Sequence, residues 1–348
     1  MEQKIASRNR KLISLLPIGL LAIFPIVMSG SPYLINLMIV FFVYAVVASN
    51  WDITMGYTGI LNFGHLGFLA IGAYVSGMAT KLLGLSPWLG LLVGGGAAVL
   101  LGLLLSLPSV RLHEVYVVLL TFASMMILQK MITWPYLSQW TGGVAGLSNI
   151  PTYSIGSFSF RNQEMPYYYV ALVIFLVSTY FLYRISRSHF GIAWRAIRDS
   201  EEHAKTLGIN SYRYKIASFV ASAFFPGVIG AFYAAYVRSI DTGIIGWDLL
   251  IITEVAIILG GLGTLYGPIV GAFAMTMIVE YMRDYGAFRL IILGILTIIL
   301  VIYMRSGLWG VLRSTMRKLR RKEPESVDET TGKDQSLAGL SSSQISHD

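Results

Sequence analysis

The chain has 348 residues, 55% of them apolar or aromatic and only 13% charged, about half the charge fraction of an ordinary soluble domain, with a mean hydropathy of +0.66. This excludes a soluble globular protein, a disordered chain and a collagen, and the absence of cysteine excludes disulfide scaffolds, thiol catalysis and cysteine-ligated metal. The net charge of +8 leaves nucleic acid and topology as competing explanations, and the location of the 26 Lys and Arg residues decides between them.

Apolar runs of roughly 20 residues, enough to cross a ~30 Å hydrocarbon core, predict spans over 12–28, 33–55, 64–79, 87–107, 115–133, 167–185, 216–237, 244–259, 265–282 and 288–304. The fold class is therefore an all-α polytopic integral membrane protein of about ten transmembrane or re-entrant helices. The third and eighth segments are short and glycine-flanked, as expected of a re-entrant or broken helix whose backbone is satisfied by protein or water. The organisation is a cytoplasmic N-terminus (1–11), a membrane domain (12–312) with a large cytoplasmic connection (186–214), and a tail (313–348).

With the N-terminus inside, twenty of the 26 basic residues fall on the cytoplasmic side, as the positive-inside rule requires, so both termini are expected in the cytoplasm. The four basic residues before the first run resemble a signal peptide, but that run is long for one and no A-x-A site follows, so it is expected to be retained. The tail opens with the cluster Arg313, Arg317, Lys318, Arg320, Arg321 and Lys322, then turns acidic and Ser-rich. It is expected to be disordered, its basic start anchoring the last helix or meeting membrane lipid. The positive excess is topological, and no nucleic-acid partner is expected.

Much chemistry is missing. The only Gly-Lys pair, Gly332-Lys333, precedes Asp334, so there is no phosphate loop. The five histidines lack ligand spacing and no metal is expected. No G-x-S-x-G elbow occurs, and no catalytic residue is assigned.

Three segments carry information. In Gly56-Tyr57-Thr58-Gly59-Ile60-Leu61-Asn62-Phe63-Gly64-His65-Leu66-Gly67 the dense glycines either pack helices closely or break one, and Asn62 and His65 either line a permeation path or hydrogen-bond between helices. A partial echo, Gly260-Gly261-Leu262-Gly263-Thr264 to Gly271, spaces Gly263, Gly267 and Gly271 four apart, which predicts a smooth helix face for close packing. Just before it lies Glu254 in an apolar run, where a charge costs on the order of 3 kcal/mol unless it meets a cavity or partner. It either borders a substrate path or packs a helix. Glu280 is expected to pair with Arg283. In the third segment, Ala193, Ala196, Ile197, Ser200, Ala204 and Leu207 predict one small-residue face of an amphipathic helix, with Arg195, Arg198, Asp199, Glu201, Glu202 and Lys205 opposite and Gly208 as a left-handed cap.

Together these segments resemble the longer of the two permease subunits of ATP-binding-cassette importers for branched-chain, hydrophobic amino acids. Further matching motifs are Thr141-Gly142-Gly143 with Gly146-Leu147, Gly191-Ile192-Ala193-Trp194-Arg195-Ala196-Ile197-Arg198-Asp199 with Leu207-Gly208-Ile209, and Arg305-Ser306-Gly307-Leu308. The resemblance places Glu202-His203-Ala204 and Gly208 on the E-A-A-x-x-x-G coupling loop of such permeases, with His203 in the usual Ala position. It implies that Arg195, Arg198, Asp199, Glu202, Ala204, Leu207 and Gly208 meet an ATPase subunit. It also implies a plasma-membrane permease without enzyme activity or cofactor, ATP being bound by two partner ATPase subunits. A second permease subunit and an extracytoplasmic substrate-binding protein complete the expected assembly. The alternatives are a urea or short-amide permease of the same family, an ion-coupled carrier using Glu254 and Asp52, and a non-transporting membrane scaffold.

Overall fold

Proline lacks the backbone N–H that a first helical turn leaves unpaired and already holds the helical φ. Among the described residues it stands at the first or second position of four helices, at Pro32, Pro87, Pro135 and Pro268. The computed structural model describes residues 19–28, 30–156, 158–161, 163–286, 288–303 and 307–310. Its helices are α1 (Pro32–Asp52, continued by a π turn over Ile53–Tyr57), α2 (His65–Leu82), α3 (Pro87–Ser109), α4 (Glu114–Thr133), α5 (Pro135–Thr141) and α6 (Glu164–Ser186). Then come α7 (His189–Asp199), α8 (Glu201–Thr206), α9 (Ser211–Val237), α10 (Trp247–Gly260), α11 (Gly267–Tyr281) and α12 (Phe288–Tyr303). Two strand pairs lie at the far ends of the long helices. Strand β1 (Leu147–Ser148) pairs antiparallel with β4 (Ser239–Ile240), and β2 (Ser154–Ile155) pairs with β3 (Phe158–Ser159).

Five helices among the described residues are long and apolar enough to cross a membrane: α1 with its π turn, α3, α4 from Val115, α6 and α9. The all-α polytopic membrane architecture stands, with the remaining predicted segments among the described residues forming shorter helices. At 1.5 Å per residue α10 and α11 reach only about 21–23 Å, short of a ~30 Å core, so the eighth and ninth predicted segments are two short helices joined at a turn. The first predicted span is helical over residues 19–27, and its earlier part lies outside the described residues, as do the N-terminal stretch 1–11 and the tail 313–348.

Of the five long spans, α1 and α9 are the most enclosed. Helices α2, α3 and α9 meet backbone to backbone: a Cβ at Gly72 would enter the chain at Gly227, and one at Gly94 would lie 2.8 Å from both Ala231 Cβ and the Gly72 carbonyl oxygen. Around α1 the contacts are aromatic. Phe42 has ring centroids 5.3 Å from Tyr168 and 5.2 Å from Phe175 on α6, and Phe41 meets Phe273 of α11 edge-on. The outer sides of α3 and α4 expose Leu92, Leu100, Leu104, Leu119 and Ile127, a contiguous apolar surface suited to lipid.

Candidate functional site

The connection between α6 and α9 folds as two helices. Ser200 is extended, ends α7 and caps α8, its Oγ accepting the His203 N–H at 3.4 Å and lying 2.7 Å from His203 Nδ1. This corrects the single stripe from Ala193 to Leu207. Ala193, Trp194, Ile197 and Ala204 turn inward onto the chain's own bundle, with Trp194 Nε1 donating to the Tyr214 carbonyl at 2.8 Å. Leu207 is instead 78% exposed, alongside exposed Arg195, Asp199, Glu202 and Gly208. Gly208 adopts φ +81°, and the Ile209 N–H returns to the Ala204 carbonyl at 3.0 Å, closing the left-handed cap.

Glu201 anchors α8. Its carboxylate takes Lys215 Nζ at 2.6 Å and Lys205 Nζ at 3.0 Å. Partial burial pushes this carboxyl up, but the hydrogen bonds and charges of Lys215 and Lys205 outweigh it and hold it below the ordinary glutamate range.

Arg198, at the end of α7, joins the connection to both glycine-rich breaks. Its Nη1 donates to the Gly56 carbonyl at 2.8 Å, while Nε and Nη2 pair with Asp199. Beside it, the fully buried Asp52 accepts the Gly263 N–H through Oδ1 at 2.9 Å, and its Oδ2 has no hydrogen-bond partner among the described residues. Only glycine fits at the crossing. A Cβ at Gly263, where φ is +69°, would lie 2.8 Å from Arg198 Nη1 and from the Gly56 carbonyl oxygen, and one at Gly59 would lie 2.9 Å from Arg198 Cγ. A buried carboxylate is costly unless hydrogen-bonded and charge-compensated. The Gly263 N–H and the Arg198 charge offset part of that cost.

This geometry relocates Gly263. It lies in the left-handed turn before α11, so the predicted helix face reduces to Gly267 and Gly271, whose Cβ positions are blocked by the α10 backbone at Gly260, Gly261 and Ala256. Asn62 is buried in a turn, its Oδ1 accepting the Gly64 N–H at 2.9 Å. His65 stacks on Trp51 at 5.4 Å and meets Phe68 edge-on. Neither ring nitrogen completes a hydrogen bond among the described residues, and the polar group facing the ring is the Ser222 carbonyl. Pro226, four residues on, cannot supply that carbonyl with its helical N–H. Glu254 is half-buried on α10. Glu280 pairs with Arg283 at 3.4 Å and also accepts the Tyr33 hydroxyl. The structure thus brings Arg198 together with Gly263, and leaves Asn62, His65 and Glu254 on separate elements. Asp52, buried at the end of an apolar run, carried the same intramembrane-charge signal as Glu254. A cleft of about 360 Å³ opens beside the crossing, between Thr58, Gly59, Ser109, His113, Arg198 and Lys215.

The family model for the permease component of branched-chain amino acid transport systems matches residues 33–302. The chain belongs to this family. It is therefore a permease component of an ATP-binding-cassette importer, a multi-pass plasma-membrane protein in a system with other subunits. The high-affinity branched-chain amino acid transport permease LivM of Escherichia coli (strain K12) is 26% identical over 302 residues, covering 79% of this chain and 69% of LivM. BraD of Pseudomonas aeruginosa, named for the same transport, is 27% identical over 290 residues, 76% of this chain and 92% of BraD. The nucleoside permease NupC of Lactococcus lactis is 30% identical over 194 residues, 51% of this chain and 59% of NupC. No solved structure matches the chain. Family membership replaces the readings of a lone ion-coupled carrier and a membrane scaffold.

Proposed function

We propose that this permease is the longer subunit of an importer for branched-chain, hydrophobic amino acids, with both termini cytoplasmic. In this reading it pairs with a second permease subunit, rests on two ATPase subunits, and receives substrate from an extracytoplasmic binding protein. The chain itself catalyses nothing and holds no cofactor; ATP is bound by the partner subunits. The observation that carries the reading is the Arg198 crossing, because a helix gripped from the cytoplasm transmits force only if it is tied to the membrane core. The ATPase meets the exposed side of the connection, Arg195, Asp199, Glu202, Leu207 and Gly208. Ala204 and Arg198 hold that side to the bundle. Nucleotide-dependent movement of α7 and α8 then acts on Gly56 and the adjoining Gly263 turn, biasing the permease between outward- and inward-facing states. Along the path, Glu254 is the half-buried carboxylate available to substrate, while Asn62 acts through the turn it caps and His65 through its ring packing on Trp51 and Phe68.

The nucleoside relative favours a second substrate class. Both are tested together. The tagged chain should co-purify with a second permease and two ATPase subunits, and vesicles carrying the complex should accumulate leucine only with ATP. Accumulation of uridine but not leucine would transfer the substrate assignment to nucleosides, and uptake by the chain alone would refute the coupling mechanism. Arg198→Lys keeps the charge but loses the planar fork, so uptake should fall severalfold with assembly intact.

A further inference from the structure

At the end of α9 opposite Arg198, a cavity of about 260 Å³ lies between α1, α2, α9 and α10. That is slightly below the ~300–1,000 Å³ of drug-sized ligand sites. Val40, Val43, Leu69 and Leu249 make its wall apolar, Tyr233 adds a phenol, and Asp241 is its only acidic lining residue. Asp241 is exposed and forms no ion pair among the described residues. One of its oxygens caps the Gly243 N–H at 2.7 Å, which leaves the other for a ligand. Nearby, Tyr74 is 1% exposed, its hydroxyl has no hydrogen-bond partner among the described residues, and it lies within electrostatic range of Asp241. A buried unpaired hydroxyl costs free energy unless a ligand or water uses it.

The loop after α5 fixes this acid in place. Ile240 pairs with Leu147 across β1 and β4, and a Cβ at Gly146 would strike the Ile240 carbonyl and come 3.0 Å from Asp241 Cα. The Thr141 to Leu147 motif is thereby explained as a buttress behind Asp241. A carboxylate at the rim of an aliphatic pocket is complementary to a small molecule with an ammonium group at one end and a branched hydrocarbon at the other. A nucleoside offers neither.

We propose that this pocket is the outward-facing substrate subsite of the permease, taking the ammonium of a small apolar amino acid on Asp241 and its side chain among Val43, Leu69 and Leu249. This rests on the amino-acid reading above. The full complex with its ATPase subunits and binding protein is placed in vesicles, and uptake of radiolabelled leucine is measured at limiting concentration. Asp241→Asn keeps the oxygen that caps Gly243, so assembly, checked by co-purification, is retained. Uptake should fall about tenfold, the worth of one hydrogen bond to a charged group, and Asp241→Glu should restore most of it. Photo-leucine, an amino acid with a diazirine in its side chain, should label peptides containing Val43, Leu69 or Leu249 in the wild-type complex. Leucine should compete for that labelling and 4-methylpentanoate, which lacks the ammonium, should not. Unchanged uptake in Asp241→Asn, equal competition by the two, or labelling by a diazirine lipid that excess leucine does not displace overturns the subsite. Wild-type leucine uptake without pocket labelling overturns the subsite alone, whereas absence of leucine uptake by the wild-type complex overturns the amino-acid function itself.

Discussion

The break between α1 and α2 is held by side chains. Asn62 caps the Gly64 N–H, Thr121 Oγ1 accepts from the Phe63 N–H, and Arg198 holds the Gly56 carbonyl. The break between α10 and α11 has side-chain bonds too, Thr264 Oγ1 donating to the Gly261 carbonyl at 2.7 Å and accepting the Gly267 N–H at 3.1 Å, but it adds close backbone approach, with Gly260 against Gly267 and Gly271 against Ala256, tighter than any side chain allows. In sequence the two look like echoes. Side-chain contacts rotate and re-form more easily than backbone pressed on backbone, so the second break is expected to be the stiffer of the two. They meet where Asp52 takes the Gly263 N–H.

The sharpest way to break this contrast is Gly263→Val. It combines a left-handed backbone with a side chain aimed at Arg198 and Gly56, and should cost ~3 kcal/mol or more, read as lost complex yield and a lower melting temperature in detergent. If the variant is as stable as wild type, the second break is not rigid. Next comes Asp52→Ala, which orphans the Gly263 N–H at about 1–3 kcal/mol. Asp52→Asn keeps an acceptor oxygen and should recover part of that stability, and equal melting of the two variants would assign the whole effect to charge.

Gly208→Val has a different signature. Nothing lies within 4 Å of its Cβ position, so the only penalty is the left-handed backbone, about 1–2 kcal/mol, confined to α8. Uptake should be lost while the membrane core melts as in wild type, and normal uptake would remove α8 from the coupling path. The smallest effect is acid-dependent. Because the Glu201 carboxyl is held below its ordinary range, its pairing with Lys215 and Lys205 is fully present above the unfolded value. It is lost as pH falls through the lower folded one. Solvent screening limits the gain to ~0.5 kcal/mol. Hydrogen exchange in α8 should rise in acid in wild type and show no such step in Glu201→Gln.

Helix positions were legible because lipid imposes a one-dimensional signal, an apolar run of set length: the predicted 87–107, 115–133 and 288–304 became Pro87–Ser109, Glu114–Thr133 and Phe288–Tyr303. Gly263 was misplaced because four-residue spacing continues through a turn as readily as along a helix. The division at Ser200 escaped the same periodic reading, since a serine between charged residues suits a helix surface and an N-cap equally well. Nothing local announces that Asp52 meets Gly263, a pairing 211 residues apart. Asp241 was hidden for the opposite reason. Asp241-Thr242-Gly243 has the look of an ordinary turn, and only the fold gives it an apolar pocket to guard.

The glycine seams of α2, α3 and α9 limit how the transport cycle can run. With Gly72 on Gly227, Gly94 under Ala231 and Gly230 against the Leu69 carbonyl, these three helices are pinned at points of backbone contact that resist sliding. They must travel as one block. Alternating access in this subunit therefore opens along the border between that block and the aromatic group around α1, where rings can tilt past each other. A disulfide engineered across this border should arrest the cycle, whereas one engineered within the block should leave it running.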